Sequence, residues 1–260
     1  MTPDILCERD GPLAIVTLFN PEKLNAVTAA MWRRLKAVMD ELSAADGLRC
    51  IIVRGEGRAF AAGGDIEEFL TLRSTLEQAR IYHGEWVAGA LAAVADCRHP
   101  TIAAIEGPCI GGGLEIAAAC DLRIAGEGAR FGAPIMRLGF AMYAGELAGL
   151  LALAGPATAL EILLEGRILT AREAHEKQLL TRVVADAEVQ AEALATARRI
   201  AAGAPLVARL HKRLVRRLTA AARAPDLDAL RENFAFLDSN DYREGLAAFF
   251  DKRPPDFTGT

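Results

Sequence analysis

His99–Gly126 reads HPTIAAIEGPCIGGGLEIAAACDLRIAG, and this stretch decides the fold. TIAAIEG (Thr101–Gly107) is a short apolar run of strand character, punctuated by Gly111-Gly112-Gly113. The residues that follow have helical character and are small or apolar as far as Cys120, with one exception, Glu115. DLRIAG (Asp121–Gly126) then returns to strand character. A helix that is apolar all round is a buried helix. A carboxylate on such a helix is costly unless it is paired or used, and desolvation should raise its pKa into a range useful for acid–base chemistry. The bland alternative is that Glu115 complements the helix dipole or joins a buried ion pair.

Moving outward, the strand–loop–helix pattern recurs. CIIVRG (Cys50–Gly55) is a buried strand, FAAGGDIEEF (Phe60–Phe69) a glycine loop, and a helix is expected from about Ile66. ILCER and LAIVTLF flank Asp10-Gly11 as a hairpin, and Thr28–Leu42 carries helical apolar spacing. Ala157–Leu164 and Ala171–Gln178 read as helices, and Thr181–Asp186 as a last strand. Ala187–Ala202, Pro205–Arg223 and Asp226–Phe236 read as helices, and Pro254-Pro255 as a frayed tail. The class is α/β, with a core over 1–200 and a helical region over 201–260.

The 260 residues are 52% hydrophobic and 25% charged, which excludes a disordered chain. A formal net charge of −4 argues against a general nucleic-acid binder. The basic run His211–Arg217 reads as a solvated helix face, with a contact for a ligand's phosphates or RNA as sharper alternatives. No membrane span is expected, because Gly155-Pro156 interrupts the uncharged stretch Leu147–Leu160. MTPDILCERD lacks the basic start and apolar run of a secretory signal. Five cysteines without CxxC spacing suggest mostly buried thiols in a reducing, cytoplasmic setting. GxGxxG, GxxxxGK[ST] and GxSxG are absent, and His83, His99, His175 and His211 read as surface or structural residues rather than metal ligands.

In the second glycine loop, Asp65 reads as an N-cap with Glu68 in capping-box register. Its functional reading is a set of backbone N–H groups aimed at a ligand oxygen. Together the two loops could supply an oxyanion hole.

The chain resembles the crotonase superfamily, which includes enoyl-CoA hydratases and isomerases. The resemblance is carried by NPEKLNAV (Asn20–Val27), FAAGGDIEEF, the opening stretch, RFGAPIMRLG (Arg130–Gly139), GRILTAREA (Gly166–Ala174) and DYREGLAAFFDKR (Asp241–Arg253). It implies a spiral of ββα units, a helical C-terminal region supporting a homotrimer or hexamer, and an acyl-CoA thioester as substrate. No metal or redox cofactor is expected. The family's oxyanion donors fall on the N–H groups of Gly64 and Gly112. Lys23, Leu24 and Ala26 match the CoA channel, and Ala62, Asp65 and Ile66 the segment meeting adenine and pantetheine. Phe249 and Lys252 match positions that reach CoA near a subunit boundary. Ile110, Pro134 and Ile135 complete the expected substrate-binding set.

Glu115 matches the first hydratase glutamate. Ile135 stands where the second is expected, and Met142-Tyr143 and Gly145-Glu146 replace the family's Pro-Gly and Gly-Gly pairs. The resemblance leaves three outcomes open. Glu146 is either a solvated helix-start residue or the replacement carboxylate. Alternatively Glu115 acts as a single base in isomerisation, decarboxylation or a specialised hydration, with Tyr143 a hydrogen-bond donor or a packing residue. Lastly, the protein binds acyl-CoA without turnover. An apolar Ile135 beside Glu115 is expected to deepen its desolvation.

Overall fold

The computed structural model describes residues 2–138, 140–220 and 239–260. Six strands form one sheet: β1 (Asp4–Asp10), β2 (Leu13–Phe19), β3 (Cys50–Gly55), β4 (Thr101–Ile105), β6 (Leu122–Gly126) and β9 (Arg182–Val184), in that spatial order. β1 and β2 are the expected hairpin, and every later pairing in this sheet is parallel. Period-two alternation sends Ile51 and Val53 to one face and Cys50 and Ile52 to the other. The first face packs on α1 (Ala29–Ala44) through Met31, Leu35, Met39 and Leu42. The second packs on the helix Val189–Ala201 through Val189, Ala193 and Ala197. Both faces being covered is why β4, TIAAI, is buried at every position.

Three strands escaped sequence reading: β5 (Pro108–Ile110), β7 (Arg130–Gly132) and β8 (Leu169–Thr170), which form a second sheet. Two or three residues are too few to show a period.

Other expectations need correction. The helix foreseen from Ile66 is a 3-10 turn, Ile66–Glu68, followed by one α-turn, Phe69–Leu72. Asp65 caps it by accepting from Glu67 N at 3.2 Å. Glu68 closes no capping box there; its carboxylate accepts from Ala29 N at 2.6 Å and so supports the start of α1. The C-terminal tail is tied down: Asp241 accepts from the backbone N–H groups of Thr258 and Gly259. The segment Ala144–Glu165, of 22 residues, is by length and composition alone apolar enough to cross a membrane, contrary to expectation. Gly155, at φ 70°, breaks its helical path.

The basic run is not simply solvated, since Lys212 and Arg216 turn inward to Asp121 at 2.8 and 2.9 Å. The helix expected at Asp226–Phe236 lies outside the described residues, whereas Asn240–Asp251 forms a helix that was not foreseen.

Candidate active site

Two buried asparagines shape the loop that carries Lys23. Asn25, at φ 58°, donates to the carbonyls of Glu56 and Ala59 and accepts from Asn20 N. Asn20 donates in turn to the Ala26 carbonyl. Lys23 reaches Asp65 at 2.9 Å and Glu67 at 2.8 Å, and those carboxylates push its ammonium pKa up. Leu24 and Ile66, 53% and 52% exposed, leave an apolar rim beside these charges. Ala62 N donates to the Leu24 carbonyl, while Ala26 is buried.

The two glycine loops converge. Ala61 bridges Cys109 on β5, and Val27 bridges Gly64. In the second bridge Val27 N donates to Gly63 O, and Asp65 N donates to Val27 O. That parallel pattern directs the N–H of Gly64 itself away from its bridge partner. Gly112 opens α2 (Gly112–Ala119), where a first-turn N–H has no partner inside the helix. A methyl group on Gly112 would lie 3.5 Å from Gly64 N and 2.8 Å from Trp32. Gly63, at φ 110°, supplies the turn that brings the backbones this close.

Glu115 stands one turn beyond Gly112, on the same side of α2. It is buried, as is every residue of that helix. Burial pushes its carboxyl pKa well above the usual range, and the negative charge of Glu146 adds to the effect. Glu146 is 5% exposed and lines the same cavity as Glu115, so it is not a solvated helix-start residue. It lies in the first turn of α3 (Ala144–Leu160), with Oε2 accepting from Tyr143 N at 3.3 Å. Oε1 pairs with His83 Nδ1 at 2.6 Å, and His83 Nε2 meets Arg73 at 3.0 Å. The Arg73 guanidinium lies 4.0 Å from the ring centres of Phe69 and Phe140. Tyr82, buried next to His83, places its hydroxyl 3.5 Å from the methyl position of Gly64.

Ile135 does not line the cavity of Glu115 and Glu146. It lines an apolar hollow of about 480 Å³ with Phe140, Met142 and Leu147, and the second influence on Glu115 is the Glu146 charge. Pro134 is half-buried beside it, and Ile110 is held on β5 by donating to the Ala61 carbonyl. Tyr143 is 45% exposed, its hydroxyl packed near Gly84. Lys252 is exposed and does not line the cavity; the side chain of Phe249 lies outside the described residues.

Sequence reasoning did not bring Arg73 and His83 to this site. His83 read as a surface or structural histidine; its side chain is 15% exposed and pairs with a buried carboxylate, which fits the structural reading.

Residues 8–260 match the family model described as Enoyl-CoA hydratase/isomerase. The chain belongs to the enoyl-CoA hydratase/isomerase family. Among its relatives is a Mycobacterium bovis protein called "Probable enoyl-CoA hydratase echA8", 37% identical over 98% of this chain and 97% of the relative. Among solved structures, an enoyl-CoA hydratase/carnithine racemase from Magnetospirillum magneticum is 48% identical at TM-score 0.95, covering 98% of this chain and 96% of that one. DspI of Pseudomonas aeruginosa is 31% identical at TM-score 0.90, with the same coverages. The fold is therefore the crotonase fold, and the chain is an acyl-CoA enzyme of this family.

Proposed function

We propose that the protein hydrates 2-enoyl-CoA thioesters, using Glu115 and Glu146 as the two carboxylates. The observation that carries this reading is the burial of Glu146 in the cavity of Glu115. A glutamate from the start of α3 then does the work that Ile135 cannot.

The thioester carbonyl is received by the N–H groups of Gly64 and Gly112. Glu146 takes a proton from water as the water oxygen bonds to Cβ. The π electrons move onto the thioester oxygen, where the two N–H donors stabilise the developing enolate. As the carbonyl re-forms, Glu115 gives its proton to Cα. The product has gained one water, and a proton passes back from Glu146 to Glu115 to complete the cycle. The high Glu115 pKa supports its role as the acid, and its location one turn from Gly112 supports delivery to the carbon next to the carbonyl. Lys23, Asp65 and the apolar rim of Leu24 and Ile66 form the CoA entrance in this reading. No step calls for a metal or redox cofactor.

The test is hydration of crotonyl-CoA by wild type, Glu115→Gln and Glu146→Gln. Each substitution is expected to lower kcat by about 10²–10⁴-fold, the usual worth of a positioned acid or base. Wild-type kcat in Glu146→Gln would overturn the two-carboxylate reading and leave Glu115 as a single base, the isomerase or decarboxylase alternative.

A further inference from the structure

We propose that His83 and Arg73 are positioning residues that fix Glu146 as the proton-accepting member of the pair, an inference that rests on the two-carboxylate reading above.

The argument starts from donor and acceptor inventory. Guanidinium only donates hydrogen bonds. Arg73 Nη1 lies 3.0 Å from His83 Nε2, so Nε2 is the acceptor in that contact. A neutral imidazole then carries its proton on Nδ1, and Nδ1 lies 2.6 Å from Glu146 Oε1. The ring donates to the carboxylate and cannot take a proton from it through that nitrogen. Glu146 Oε2 accepts from Tyr143 N, so both oxygens receive N–H donors. This is the hydrogen bonding of a carboxylate oriented to receive a proton from a third direction, that of the cavity.

Arg73 is itself held firmly. Its guanidinium packs against both the Phe69 and Phe140 rings, which meet edge to face at 5.8 Å, and burial lowers its pKa without removing its charge. His83 packs edge-on against Tyr82 at 5.1 Å between ring centres. Two aromatic contacts and one ring contact therefore fix the direction of a bond that spans 63 residues of sequence. The chain Arg73–His83–Glu146 keeps the acceptor on one carboxylate and leaves the proton on the other, Glu115.

The test uses the full chain with crotonyl-CoA. His83→Phe removes donor and acceptor while keeping a ring. Its kcat is expected to fall about 10²-fold, the scale of misplacing a catalytic group, with KM unchanged within about threefold. His83→Gln, whose amide can accept from Arg73 and donate to Glu146, is expected to recover most of the loss. Arg73→Met keeps the imidazole but frees its tautomer, and is expected to lower kcat with the same unchanged KM, so the inference stays testable if His83→Phe folds poorly. Wild-type kcat in His83→Phe or Arg73→Met, while Glu146→Gln is inactive, would overturn the positioning role alone. So would His83→Gln being no better than His83→Phe. Wild-type kcat in Glu146→Gln would instead overturn the underlying two-carboxylate reading.

Discussion

Glu146 places its negative charge against the buried carboxyl of Glu115, although the two reach their cavity from different helices. Each lies in the first turn of its helix. Burial raises the pKa of Glu115, and the Glu146 charge raises it further.

Glu115→Gln should therefore reveal a pH-dependent cost of carrying this carboxyl. A folded pKa above the ordinary value of about 4.3 means that the folded chain binds the proton more tightly than the unfolded chain. The resulting stabilisation is present below the ordinary value and is lost as pH rises through the raised folded value. Gln has nothing to ionise. Thermal melting should show the variant gaining on wild type between about pH 5 and pH 8, each kcal/mol appearing as about 2–4 °C. A gap that stays constant or shrinks would contradict the raised pKa. In calorimetric titration the variant should still bind an unreactive acyl-CoA nearly as well as wild type does; a large loss would mean Glu115 is structural.

Gly64 and Gly112, the oxyanion donors of the proposed mechanism, should respond differently to a methyl group. On Gly112 it would lie 2.8 Å from the Trp32 ring and force α2 or Trp32 to move. Gly112→Ala should lower kcat by about 10²–10³-fold, the worth of one oxyanion donor. On Gly64 the nearest atom is a Phe69 carbon at 3.4 Å, an ordinary contact, and the N–H remains. Steady-state kinetics should place Gly64→Ala at least tenfold above Gly112→Ala, a ratio set by roughly 1.4 kcal/mol. The reverse order would contradict the geometry.

Asn25→Ala should destabilise the fold. It deletes three hydrogen bonds, two of them buried, at a residue of φ 58°, where Asn is tolerated better than Ala. A loss of about 2–4 kcal/mol is expected in urea unfolding, from roughly 1 kcal/mol for each bond plus the conformational cost. A change below about 0.5 kcal/mol would mean the loop is held by other contacts.

Much of this architecture is legible in the residues themselves. Asp10-Gly11 between two strand-like runs marks the hairpin, and the apolar CIIVRG and TIAAIEG mark buried strands. Glu115 stands out because everything around it is small or apolar. Glu146 does not, because AMYAGELAG reads equally well as an exposed helix start. Its burial comes from packing against segments distant in sequence. Arg73 and His83 are illegible for the same reason: a hydrogen bond between His83 and Glu146 leaves no periodic trace. Ile135 misleads by its place in a motif, since a missing carboxylate there does not tell whether another element supplies one.

The most direct test of the central claim is mass spectrometry of crotonyl-CoA turned over in deuterated water. Two carboxylates acting together predict addition of one water with one deuterium at Cα in wild type, and loss of that product in Glu146→Gln. Deuterium entering the acyl group without addition of water would contradict the account and make Glu115 the single base of an enolate reaction.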